Sequence, residues 1–126
     1  MSYLLENGAD VNKENNCGET PLYEVCRGKN EAIIKKLVEH GADVNKEIFS
    51  GKASLFEACY FGNEAIVKYL VEHGANINKE ERNGETPFFN ACRSNNRAMI
   101  NYLLKYGANV NKKNSYGEIP FNWLRF

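Results

Sequence analysis

Apolar positions along the chain fall into short helical stripes separated by polar turns. Ile33, Ile34, Leu37 and Val38 sit at i, i+1, i+4 and i+5, which puts them on one face of a helix. Ile66, Val67, Leu70 and Val71 repeat the stripe, and Met99, Ile100, Leu103 and Leu104 repeat it again. Gly41, Gly74 and Gly107 follow the stripes and are expected to stop each helix. A shorter helix is expected ahead of each stripe. Thr20-Pro21 and Thr86-Pro87 resemble helix starts, since Thr caps and Pro suits the first helical position. The first of these helices is expected to run to about Arg27, with Lys29-Asn30, Gly62-Asn63 and Asn95-Asn96 as breaks. The polar segments around Gly18, Gly51, Gly84 and Gly117 read as protruding, hairpin-like turns.

These elements recur with one period. Gly8-Ala9-Asp10-Val11-Asn12 returns as Gly41-Ala42-Asp43-Val44-Asn45, as Gly74-Ala75-Asn76-Ile77-Asn78 and as Gly107-Ala108-Asn109-Val110-Asn111, each time 33 residues on. Gly18-Glu19-Thr20-Pro21-Leu22 returns at the same step as Gly51-Lys52-Ala53-Ser54-Leu55, Gly84-Glu85-Thr86-Pro87-Phe88 and Gly117-Glu118-Ile119-Pro120-Phe121. Residues 30–47 and 63–80 match at 14 of 18 positions. The reading is one all-α array over 1–126, with full repeats at 18–50, 51–83 and 84–116. Partial repeats at 1–17 and 117–126 suggest a fragment of a longer array or an array with unusual ends.

The period and the segments Thr20-Pro21-Leu22-Tyr23-Glu24-Val25 and Thr86-Pro87-Phe88-Phe89-Asn90-Ala91 resemble the ankyrin repeat, across essentially the whole chain. The resemblance implies a solenoid of stacked helix pairs whose turns and first helices form a concave face that binds proteins. Two departures stand out. Tyr23, Phe56, Phe89 and Asn122 replace the histidine that bonds within and between repeats in the family, so aromatic packing is expected to substitute. Ala53-Ser54 stands where Thr-Pro is expected. The resemblance also implies a turn-stabilising role for Asn12, Asn45, Asn78 and Asn111; in the family such an asparagine can be hydroxylated by an oxygenase.

Composition narrows the function. The chain is 43% apolar and 25% charged, with 16 basic and 16 acidic residues. A formal charge of zero gives no global attraction to nucleic acid or to a membrane surface. No apolar run approaches the roughly 18 residues a membrane span needs. The first residues lack the basic start and apolar stretch of a signal peptide, and four cysteines then point to reduced thiols in the cytoplasm or nucleus.

Candidate chemistry reduces to packing. Cys26, Cys59 and Cys92 recur at the repeat step, where stacked helices lie about 10 Å apart. A disulfide needs Cα atoms within about 7 Å, and a shared zinc needs sulfurs about 2.3 Å from one metal. They read as small buried residues, and Cys17 as an exposed thiol in a turn. His40 and His73 precede the helix-ending glycines, where a cation favours the helix C-terminus. The lysine ladder Lys13, Lys46, Lys79 and Lys112, beside Glu14, Glu47 and Glu80, reads as a charge-balanced edge. No catalytic, cofactor-binding or metal-binding constellation is expected, and the chain is read as non-catalytic.

The middle repeat is the candidate binding centre. Ile48 and Phe49 occupy a turn where the other repeats are polar, and Tyr60-Phe61 stand where they carry Arg27-Gly28 and Arg93-Ser94. Aromatics flanked by arginines are what a binding hot spot contains. The expected partner-binding residues are Phe49, Tyr60, Phe61, Arg27, Arg82, Arg93, Lys52 and Tyr116. The competing expectation is that Phe49 and Phe61 fold inward. An alternative function is a self-associating or engineered scaffold, stacking head to tail through Tyr3, Leu4 and Leu5 at one end and Phe121, Trp123, Leu124 and Phe126 at the other.

Overall fold

A computed structural model describes residues 10–61 and 63–124. The expectations placed on Tyr3, Leu4, Leu5 and Phe126 lie outside the described residues.

Among the described residues, six α-helices and one 3-10 helix follow in order: α1 Pro21–Val25, α2 Glu31–Glu39, α3 Ser54–Phe61, α4 Glu64–Glu72, α5 Pro87–Ser94, α6 Arg97–Lys105 and the 3-10 helix Pro120–Trp123. The described residues contain no strand. Each pair packs on itself, and like helices stack: α1 on α3, α3 on α5, α5 on the 3-10 helix, and α2 on α4. One apolar cluster runs through the stack, from Val11 and Leu22 to Ile100 and Leu103. No single pair could close such a core, so each repeat depends on its neighbours.

The predicted stripes form the buried edge of the second helices. Ile34 and Leu37 are buried, as are Ile66, Val67 and Leu70 and then Met99, Ile100 and Leu103. Ile33, Val38 and Val71 are half-buried, and Leu104 is exposed. Each of these helices ends as its glycine predicts. The Gly41 N–H donates to the Val38 carbonyl and the Ala42 N–H to the Leu37 carbonyl. With φ of +92° at Gly41, this is a Schellman cap.

Two local expectations need correction. Asn30, Asn63 and Asn96 were expected to break the first helices, but they start the second ones. Their side chains accept from the N–H groups of Ile33, Ile66 and Met99. An asparagine before a helix is a strong cap because its oxygen satisfies an otherwise unpaired N–H. Helix α1 also stops at Val25, short of Arg27, whereas α3 and α5 run to Phe61 and Ser94. Asn95 ends α5 in the left-handed region, with φ of 56°. The first repeat has Gly28-Lys29 there, and the glycine at its mid-turn weakens the helix.

The turns are hairpins of one geometry. The Asn15 N–H donates to the Glu19 carbonyl (2.9 Å) and the Gly18 N–H to the Asn15 carbonyl (3.0 Å). The same two bonds recur from Ile48 to Lys52, Glu81 to Glu85 and Asn114 to Glu118. A three-residue loop ending in a left-handed glycine gives this pattern, and Gly51 has φ of +90°. Neighbouring hairpins are tied by one backbone bond each: Phe49 N–H to Cys17, Arg82 N–H to Ser50, and Ser115 N–H to Asn83.

Candidate protein-binding face

The hairpins and the first helices share one side of the stack, and the residues expected to bind a partner are on it. Tyr60 and Phe61 lie at the end of α3, 48% and 46% exposed, with ring centroids 5.2 Å apart in an edge arrangement. They line a cleft of about 280 Å³ together with Lys52, Glu57, Asn90 and Arg93. Phe61 does not fold inward. Nor does Phe49, which is 58% exposed. Its ring covers the bare face of Gly18 in the preceding hairpin, so close that a Cβ on Gly18 would stand 2.8 Å from a ring carbon.

Phe49 belongs to a second recess, of about 330 Å³, between the second and third hairpins. Glu47, Ile48, Gly51, Glu80, Glu81 and Arg82 complete its lining. Residues 51 and 52 are consecutive, so the two recesses are neighbours. Tyr116 stands alone at the tip of the fourth hairpin, 79% exposed. The eight expected residues thus form a cleft group, a hairpin group and one isolated tip, with Arg27 lining neither recess.

Arg93 of the cleft and Arg27 beside Glu57 are engaged within the chain. Arg27 reaches Glu19 (2.6 Å) and, across the repeat boundary, Glu57 (3.3 Å). Glu57 also accepts from the Tyr23 hydroxyl. Arg93 pairs with Glu85 at 2.6 Å, and its guanidinium lies 4.4 Å over the Trp123 ring. The reason is the repeat itself: a glutamate eight residues before each arginine faces it across the first helix. In the middle repeat those positions hold Lys52 and Tyr60, so the pair is missing where the aromatics appear. Position-by-position comparison of the repeats could have revealed the pairing.

These contacts set the local electrostatics. The Asn15 amide, then Arg27, holds the Glu19 carboxyl below its ordinary value. Burial would raise Glu85, but hydrogen bonds from Arg93 and Asn114 outweigh it and leave its carboxyl lowered. Burial pushes the Cys26 thiol up to about 12 and the Cys92 thiol up to about 11, and raises Cys59 further still. All three are buried and free, as packing residues should be, and Cys17 is exposed. A thiol kept protonated is a poor nucleophile.

The missing family histidine is replaced in more than one way. Phe56 and Phe89 are fully buried, as aromatic substitution predicts. Tyr23 is buried too but restores a bond between repeats through Glu57. Asn122 accepts from the Ile119 N–H instead. Asn90 adds a link not foreseen from sequence, donating to the Phe56 carbonyl at 2.9 Å. His40 and His73 place Nδ1 2.9 and 2.8 Å from the Lys36 and Tyr69 carbonyls, at the helix ends as expected. Ahead of the hairpins, Lys46 pairs with Glu14, Lys79 with Glu47 and Lys112 with Glu80, each lysine with the preceding repeat.

No group of three or more ligating side chains among the described residues could hold a metal. No described helix is long and apolar enough to cross a membrane. Stacked helix pairs with a hairpin edge and exposed aromatics on the first-helix side define a helical repeat protein with a presented face. The family model for ankyrin repeats (3 copies) matches residues 1–81 and 48–114, and the chain belongs to that family. Ankyrin repeats are generally protein–protein interaction modules. A search of curated proteins finds no match.

Proposed function

We propose that the chain is a non-catalytic module that holds a partner protein against its hairpin and first-helix face, with the middle repeat at the centre. The observation that carries this is the exposed pair Tyr60 and Phe61. In the other repeats the corresponding positions are an engaged arginine and a small residue. Two large aromatic side chains left half in solvent beside a cleft are what a partner desolvates with most gain. Phe49, Lys52 and Arg82 extend the contact on the hairpin side, and Tyr116 lies at its far end. Arg27 and Arg93 brace the face rather than reach out from it. The reading takes 1–126 as one array, with full repeats at 18–50, 51–83 and 84–116, in a cytoplasmic or nuclear setting that suits an exposed Cys17 thiol.

The test is affinity capture from cell extract with the native chain beside Tyr60→Ala/Phe61→Ala. Both side chains are outside the core, so circular dichroism should show the variant folded. The expected result is a protein retained by the native chain and lost with the variant. Identical recovery from both baits would reject this face. Recovery of nothing but the chain itself would favour a self-associating scaffold.

A further inference from the structure

The chemistry of the partner follows from which polar groups at the centre of this face have bonding capacity left. Each carboxylate here has at least one partner within the chain. Glu57 takes the Tyr23 hydroxyl on one oxygen and Arg27 on the other. Glu85 takes Arg93 on both oxygens and Asn114 on one of them. Glu81 accepts the N–H groups of Asn83 and Glu85 at 2.7 and 2.9 Å. Glu47 and Glu80, at the edge of the hairpin recess, pair with Lys79 and Lys112.

The cations differ. Lys52 lines the helix cleft beside Tyr60 and Phe61, and Arg82 lines the hairpin recess beside Phe49. Neither is within ion-pair distance of a described carboxylate, although Arg27 and Arg93 on the same face both are; Lys52 acts on Glu85 only through its charge at longer range. The cations without an ion pair around the aromatics are thus a lysine ammonium and an arginine guanidinium. Charge-assisted bonds to an anion such as a carboxylate are about twice as strong as neutral ones, and they decide which partners fit.

Resting on the binding role proposed above, we infer that the occupant is an extended acidic segment of a partner protein. It seats a large apolar side chain against Tyr60 and Phe61 and carries carboxylates to Lys52 and Arg82. A stretch of chain suits the layout because the two recesses are separate but adjoin at Gly51 and Lys52. A compact knob would fill only one. The zero net charge of the whole chain is no obstacle, because the selection acts through two local donors whose acidic neighbours are each bonded within the chain.

The probe is a phage-displayed library of random 12-residue peptides, selected on the native chain. Synthetic versions of the recovered peptides are then titrated by calorimetry against the native chain, Tyr60→Ala/Phe61→Ala and Lys52→Glu/Arg82→Glu. The expected peptides combine an excess of Asp and Glu with at least one large apolar residue. Their affinity should fall at least tenfold on charge reversal, and should weaken with added salt in the native chain. Lys52→Gln/Arg82→Gln, which keeps size and removes charge, should give an intermediate loss and serves if the reversed variant does not fold. Peptides that need Tyr60 and Phe61 but are neutral or basic, or are indifferent to the charge variants, would overturn the acidic segment and leave the binding face standing. Recovery of no peptide that depends on Tyr60 and Phe61 would overturn both.

Discussion

Arg27 and Arg93 show how a residue's role is fixed by what lies eight positions upstream. Both looked like groups for a partner, and both are held by a glutamate of their own repeat. The residues that remain available are those whose repeat lacks that glutamate. The pairing has a measurable consequence in acid. Glu19 and Glu85 carry carboxyls lowered below the ordinary value of 4.5, so the folded chain binds their protons less tightly than the unfolded chain does. Their contribution to stability is therefore present above about pH 4.5 and is lost as the pH falls through their folded values. Denaturant unfolding followed from pH 6 to pH 3 should show stability dropping below about pH 4.5. In Glu85→Gln the drop should be smaller, because the glutamine no longer titrates. An equal drop in both proteins would mean that the Arg93 pair contributes nothing.

At the scale of the element, the four hairpins share a backbone but not a cap. Asn15 and Asn114 use the side-chain oxygen to accept two N–H groups of their own turn, from residues two and four positions on. Glu81 does the same with a carboxylate oxygen. Ile48 has no oxygen to offer, so the second hairpin keeps its fold through Gly51 and the backbone alone. A turn lacking side-chain satisfaction of its N–H groups is less stable by the net value of those bonds, about 0.5–1.5 kcal/mol each. Ile48→Asn should therefore raise the unfolding midpoint, by about 1 kcal/mol in free energy. A lowered midpoint would instead mean that Ile48 contributes through apolar contact in the hairpin recess.

The whole molecule is a line of nearly equal units, and its cohesion rests on contacts between neighbours. Besides the core, an asparagine bridges each of the first three junctions. Asn12 donates to the Gly41 carbonyl and accepts from the Asp43 N–H; Asn45 does the same with Gly74 and Asn76, and Asn78 with Gly107 and Asn109. Removing the central bridge leaves a carbonyl and an N–H to be satisfied by water. Asn45→Ala should cost about 1–2 kcal/mol in urea unfolding, at the lower end for an exposed bond. Because it weakens one junction in a linear array, it should also broaden the transition by letting the two halves unfold apart. A sharp transition at the native midpoint would show that the core alone couples the repeats.

The sequence by itself determined the architecture. A step of 33 residues, a glycine wherever φ is positive in a hairpin or after a second helix, and an apolar stripe of helical spacing are local signals repeated until chance is excluded. It also identified the second hairpin and the middle repeat it leads into as different, through Ile48, Phe49, Tyr60 and Phe61. Only the tertiary structure decided what those differences mean. Whether Phe61 turned inward or outward depended on the space left by α5, and Phe49 found its seat on Gly18, 31 residues earlier. The engagement of Arg27 by Glu57 and the bond from Asn90 to Phe56 both cross a repeat boundary. Periodicity sets which elements stack. The side-chain pairings across each junction depend on distances between helices, which no one-dimensional pattern carries.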